Sequence, residues 1–126
     1  MPNLLEIIGS GVVTAAGANT QTATIGVEHT LLDVAAAGLY DLHVDTNALA
    51  AGDVVELRVK QIVLAGGTTR VVFYGRYDGA QSSDDKIKVS DIVGNDLTDA
   101  TSLRFTLQQT FGTGRAFPWK VLSFAP

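Results

Sequence analysis

The sequence predicts an all-β fold: an antiparallel β-sandwich, jelly-roll-like, with about eight strands and an extended N-terminal arm. Three observations lead there. Asp53 to Asp78 reads as one long β-hairpin turning at Ala65-Gly66-Gly67-Thr68, because Val55, Leu57 and Val59 alternate with Glu56, Arg58 and Lys60 at the period of two of a half-buried strand. Polar, glycine-bearing clusters punctuate the rest of the chain at short intervals, leaving segments of strand length between them. The one alanine-rich stretch, Ala35-Ala36-Ala37, is too short for a helix and ends in Gly38.

Composition narrows the function classes. A chain of 126 residues has the size of one domain and one core. The absence of cysteine removes disulfides, thiolate chemistry and most structural zinc arrangements. A net charge of −4, with nine scattered basic residues, opposes binding to a phosphate backbone. Met1 to Ile8 has neither the positive flank nor the long apolar run of a secretory signal, and no stretch reaches the roughly 20 apolar residues of a membrane span. A soluble protein made in the cytoplasm is therefore expected. Only 17 % of residues are charged, against about a quarter in an ordinary domain, so part of the surface is expected to meet another protein.

In chain order, residues 1–22 form the arm. Leu4, Leu5, Ile7 and Ile8 make a sticky tip, and Gly9 to Thr22 offers little side-chain volume; a first strand over Leu4 to Ile8 joined by a loose loop is the other reading. The body, 23–126, begins with strands at Thr24–His29 and Leu31–Val34. Leu39–Asp45 follows, with Tyr40, Leu42 and Val44 inward and Asp41, His43 and Asp45 outward. Asp45 or Thr46 caps a short helical turn plugged by Leu49 and ended by Gly52, as the chain crosses between sheets. In the hairpin, Gln61-Ile62-Val63-Leu64 interrupts the alternation, and a bulge there keeps Val59 and Ile62 buried. Its second arm places Val71, Phe73, Gly75 and Tyr77 on one face and Arg70, Val72, Tyr74 and Arg76 on the other. After a polar loop, Lys86–Ile92 is a strand with Ile87 and Val89 inward and Lys86, Lys88 and Ser90 outward. Leu103–Gln108 and Ala116–Phe124 complete the set, with Pro118 marking a sheet edge or bulge in the last.

Candidate chemistry is sparse. Asp41, His43 and Asp45 form a carboxylate–imidazole–carboxylate row suited to a divalent cation, but residues along a straight strand diverge, so a solvated face is expected. His29 and Glu28 point to opposite faces. Asp84 and Asp85 with Asp78 or Asp91 supply hard oxygen ligands without an EF-hand spacing, and a turn-forming acidic loop is expected instead. Gly112-Thr113-Gly114-Arg115 lies between strands and lacks the helix terminus that cradles phosphate. Trp119, Phe117, Tyr74 and Tyr77 are aromatic enough for a sugar platform, although core packing is the commoner role. The two histidines stand without a nucleophile motif, so neither an enzyme nor a resident cofactor is expected.

Three stretches resemble a known class: Glu28-His29-Thr30-Leu31 with Leu39 to Thr46; Ala48 to Lys60; and Leu107 to Leu122, which contains Gly112-Thr113-Gly114-Arg115-Ala116-Phe117-Pro118-Trp119. Together they are similar to small virion structural proteins of tailed bacteriophages, of the capsid decoration or cement type. The likeness spans most of residues 23–124 and rests on scaffold motifs, so no functional residue is carried over. It implies a β-sandwich on the capsid exterior, a homotrimer tying major capsid subunits together. Leu4, Leu5, Ile7 and Ile8 are the expected interface residues. A carbohydrate-binding or host-adhesion module of the virion is the alternative.

Overall fold

In a computed structural model of the chain, the described residues, 13–124, form two antiparallel sheets packed as a β-sandwich, with no helix among them. Their strands are β1 (Val13–Thr22), β2 (Glu28–Val34), β3 (Gly38–Asp45), β4 (Val54–Gln61), β5 (Arg70–Asp78), β6 (Ile87–Val89), β7 (Val93–Asn95), β8 (Leu103–Phe111) and β9 (Ala116–Phe124). The first sheet runs β1-β9-β3-β6, with β7 also pairing β3; the second runs β2-β8-β4-β5.

The core lies between the four inner strands, because their alternation supplies one continuous apolar face each. Tyr40, Leu42 and Val44 of β3 and Phe117, Trp119 and Val121 of β9 pack within one cluster with Val55, Leu57 and Val59 of β4 and Leu103, Phe105 and Leu107 of β8. Burying each of these side chains contributes roughly 1.5–3 kcal/mol. Leu49 plugs one end of this core, as expected, but on two successive turns closed by Leu49 N to Thr46 O and Asp53 N to Ala50 O, not on a helix.

Several elements differ from the sequence reading. Among the described residues the sheet already includes Val13–Thr22, expected within the arm: it is an edge strand laddered along β9 from Val13 opposite Phe124 to Thr22 opposite Ala116. Ladder bonds need only backbone, so its small residues give no hydrophobic signal. Leu4, Leu5, Ile7 and Ile8 lie outside the described residues. The two short strands expected over 24–34 are one, β2, whose register shifts between Thr30 and Leu32. The hairpin's bulge sits in its second arm, where Val71 and Val72 together oppose Lys60, so both valines face solvent. Ile62 is buried, while Val63 and Leu64 form an exposed tip. Pro118 lies in an inner strand, and is tolerated there because the β3 ladder stops at Trp119.

The largest reversal is at Lys86–Ile92. Ile87 and Val89 are about half exposed, at 54 % and 47 %, whereas Lys88 and Ser90 are buried. Alternation fixes which residues share a face but not which face turns inward, and here specific polar contacts decide. Lys88 Nζ lies 2.9 Å from Asp85 Oδ2 and 4.9 Å above the Tyr77 ring, and Ser90 Oγ accepts a 2.9 Å hydrogen bond from Leu42 N.

Candidate functional site

The inverted β6 turns two aliphatic side chains onto the outer face of the first sheet. Cross-strand register builds that face in rows. Ala18, Lys120, His43 and Val89 run across β1, β9, β3 and β6, with Ala15, Leu122 and Asp41 in a row on one side of it and Asp45 opposite Ile87 on the other. Ile92, just past β6, is also about half exposed. A shallow cavity of about 340 Å³ opens on this face, lined by Ala18, His43, Asp45, Ile87, Pro118 and Lys120. Its walls are largely apolar, with an imidazole, a carboxylate and an ammonium at the rim.

Asp41, His43 and Asp45 lie on this side of β3 but do not form the solvated row expected: Asp41 is buried, at 5 % exposure, and the three do not converge. His43 Nε2 lies 3.0 Å from Asp41 Oδ1, and Asp45 Oδ1 instead accepts a 2.9 Å bond from Asn47 N in the following turn. No group of three or more potential metal ligands occurs among the described residues. Asp85 is engaged with Lys88, and Asp78 pairs with Arg76 at 3.0 Å, so the acidic loop is likewise not gathered.

The outer face of the second sheet contrasts with this one. It carries four ion pairs: Arg58–Glu56 at 2.6 Å, Lys60–Glu28 at 2.7 Å, Arg104–Asp33 at 2.7 Å and Arg76–Asp78. Tyr74 Oη donates to Glu56 at 2.8 Å, Thr106 Oγ1 donates to Glu28 at 2.7 Å, and Arg58 stacks 5.1 Å over the Tyr74 ring. Burial pushes the Glu28 and Glu56 carboxyls up, but the hydrogen bonds from Lys60 and Thr106 to Glu28, and from Tyr74 and Arg58 to Glu56, hold both below the usual range. Charges already satisfied in this way gain little from a partner and lose much on desolvation.

The glycine-rich turn serves the fold. Asp53, 1 % exposed, accepts bonds from Ala50 N at 2.9 Å, Thr113 N at 3.1 Å and Arg115 Nε at 2.7 Å. Burial pushes its carboxyl up, yet these donors, Arg115 foremost, hold it below the ordinary value. Gly112 has φ +93°, and a Cβ there would overlap Asp53 Oδ1. Buried Gln109 completes the turn by donating to Thr113 O at 2.7 Å and accepting from Arg115 N at 2.9 Å.

The four aromatics do not form a platform. Phe117 and Trp119 belong to the core, Tyr77 packs partly against it, and Tyr74 stands on the opposite side of the second sheet. Ile87 and Val89 are the surface residues that sequence reasoning missed. The available signal was Asp85 three residues before Lys88, a spacing that lets the buried ammonium find a carboxylate. No family model matches the chain, and none of the curated proteins or solved structures compared with it matches either.

Proposed function

We propose that this chain is a structural protein of a tailed-bacteriophage virion: a capsid decoration protein that sits on the exterior of the head, as a homotrimer, and stabilises contacts between major capsid subunits. The observation that carries this reading is the inversion of β6, which leaves Ile87 and Val89 in water while Lys88 is buried. A strand with that polarity gains from a partner that covers its outer face. The opposite side of the sandwich, with its charges paired among themselves, is the side suited to solvent. The sequence likeness to phage virion proteins supplies the partner class.

The test is co-sedimentation with heads that lack the protein. The wild type is expected to pellet with the particles, and the double variant Ile87→Asp, Val89→Asp to stay in the supernatant with an unchanged circular-dichroism spectrum. Equal binding by the folded double variant refutes this docking face. The cavity beside Lys120 gives a second reading some support, a glycan-binding virion module. It predicts glycan-array signals that are lost in His43→Ala and Lys120→Ala; Trp119→Ala is unsuited to that question because the indole is core.

A further inference from the structure

Lys120 holds a central place on the outer face of the first sheet. The register sets it between Ala18 of β1 and His43 of β3, in the row that ends at Val89 of β6. The nine lysines and arginines of the chain are otherwise well matched. Six of them hold a carboxylate at 2.6–3.0 Å. Lys86 donates to Asn47 Oδ1 at 2.7 Å. Arg70 and Lys120 have no ion pair among the described residues, and Arg70 belongs to β5 at the edge of the second sheet, away from the cavity. The carboxylates of this face already have donors: Asp41 Oδ1 lies 3.0 Å from His43 Nε2, and Asp45 Oδ1 accepts from Asn47 N at 2.9 Å. Lys120 is thus left as a cation without a counter-ion, on the wall of a cavity of about 340 Å³ whose apolar sides are Ala18, Ile87 and Pro118.

We propose that the capsid subunit docking on this face presents a carboxylate, from a glutamate or aspartate set beside an apolar side chain: the apolar group fills the cavity and the carboxylate pairs with Lys120. The proposal rests on the docking reading given above and adds to it the chemistry of the partner. Distance decides the matter. Val89 and Lys120 lie in one row on strands two apart, so their backbones are separated by roughly 10 Å, twice the spacing of neighbouring strands. A specific interface covers about 800 Å² on each partner, a footprint far wider than that. A partner centred on Ile87 and Val89 therefore covers Lys120 as well. In water the ammonium needs no counter-ion, but covering it without one costs more than the neighbouring apolar walls return. The cover must bring the anion that the chain itself does not supply. Asp41 and Asp45 make no matching demand for a cation, because each already accepts a bond from its own chain.

The test titrates heads that lack the protein with four forms of the full chain: wild type, Lys120→Arg, Lys120→Met and Lys120→Glu. Lys120 is exposed, so all four should melt alike, and the melts verify that each is folded. Lys120→Arg keeps the charge and should bind within a few-fold of wild type, whereas Lys120→Glu should bind at least about tenfold more weakly. Lys120→Met keeps the apolar stem and loses the charge. Its deficit against wild type should shrink as salt rises from about 0.1 M to about 1 M, where the screening length falls from about 10 Å to about 3 Å. Binding by folded Lys120→Glu equal to or tighter than wild type overturns the proposal, as does a Lys120→Met deficit that is absent or does not change with salt. The Ile87→Asp, Val89→Asp variant, run alongside, separates the two levels of the reading. If it loses binding while every Lys120 variant pellets like wild type, the docking face stands and the acidic partner falls; if it pellets too, both fall.

Discussion

Replacing Gly112 by alanine, with Gly26→Ala as its control, separates two reasons for a glycine in a turn. Both residues have positive φ, +93° and +83°, so a Cβ costs about 1–2 kcal/mol of backbone strain at either. The space around them differs. Nothing lies within 4 Å of a Cβ at Gly26, whereas at Gly112 it overlaps Asp53 Oδ1 and stands 2.8 Å from Asp53 Cα. Asp53 must move, and it cannot do so while accepting from Ala50 N, Thr113 N and Arg115 Nε. Breaking a buried charge pair costs about 3–5 kcal/mol, so Gly112→Ala should lose about 4–7 kcal/mol in all and Gly26→Ala only about 1–2. For a domain of this size each kcal/mol is about 3–5 °C, which puts the expected drop in Tm at roughly 15–30 °C for the first and about 5 °C for the second. Calorimetric melts at neutral pH measure both. Equal losses in the two variants would refute the assignment of Asp53 as the hub of this turn.

Acid should weaken the fold through the same group. Asp53, Glu28 and Glu56 all have carboxyls held below their ordinary values, so their stabilisation is complete above the unfolded values near pH 4 and is lost as pH falls through the lower folded ones. Urea midpoints between pH 6 and pH 2 should fall in the wild type and fall less steeply in Asp53→Asn, which starts lower; parallel curves would contradict this. Trp119→Ala should cost about 3–5 kcal/mol by urea titration, as a core aromatic does, and Tyr74→Ala far less, although Tyr74 is the more accessible ring. Deleting residues 1–10 removes none of the described ladder, which runs from Val13 opposite Phe124, and should leave the domain folded while weakening association with particles or between copies. Unchanged association in that variant would remove the anchor role of Leu4, Leu5, Ile7 and Ile8.

The inner strands were legible because each states its burial twice, once by alternation and once by bulk. Val55-Glu56-Leu57-Arg58-Val59 and Leu103-Arg104-Phe105-Thr106-Leu107 leave no second register that buries as much apolar surface. The edges were not legible, for opposite reasons. β1 has regular pairing but almost no side-chain burial, so its thirteenth to twenty-second residues read as an arm. β6 has ordinary alternation, but only three residues, and its facing is settled by contacts with Asp85, Tyr77 and Leu42 that lie outside the strand. The Gly112-Thr113-Gly114-Arg115 turn read as glycine-rich and nothing more, because its partner, Asp53, is some 60 residues away in sequence.

These two edges are also what shapes the candidate docking face. Ala15, Ala18 and Thr20 of β1 add width beside Leu122, Lys120 and Pro118 without adding height, and β6 extends the same surface with Ile87 and Val89. A broad, low surface backed by the buried side chains of β3 and β9 needs little rearrangement for a partner that covers it as proposed, so docking there would order few rotamers and more of the gain from apolar contact would survive as affinity. The second sheet lacks this economy: Arg58, Lys60 and Arg104 must each leave a carboxylate before they can meet a partner. An aspartate pair at Ile87 and Val89 therefore removes affinity where the face is weakest in polar contacts, whereas charge reversals on the second sheet disturb the network that holds β4 to β8 and β2. The two kinds of variant should separate binding from stability, the first changing particle association at constant Tm and the second changing Tm at constant association.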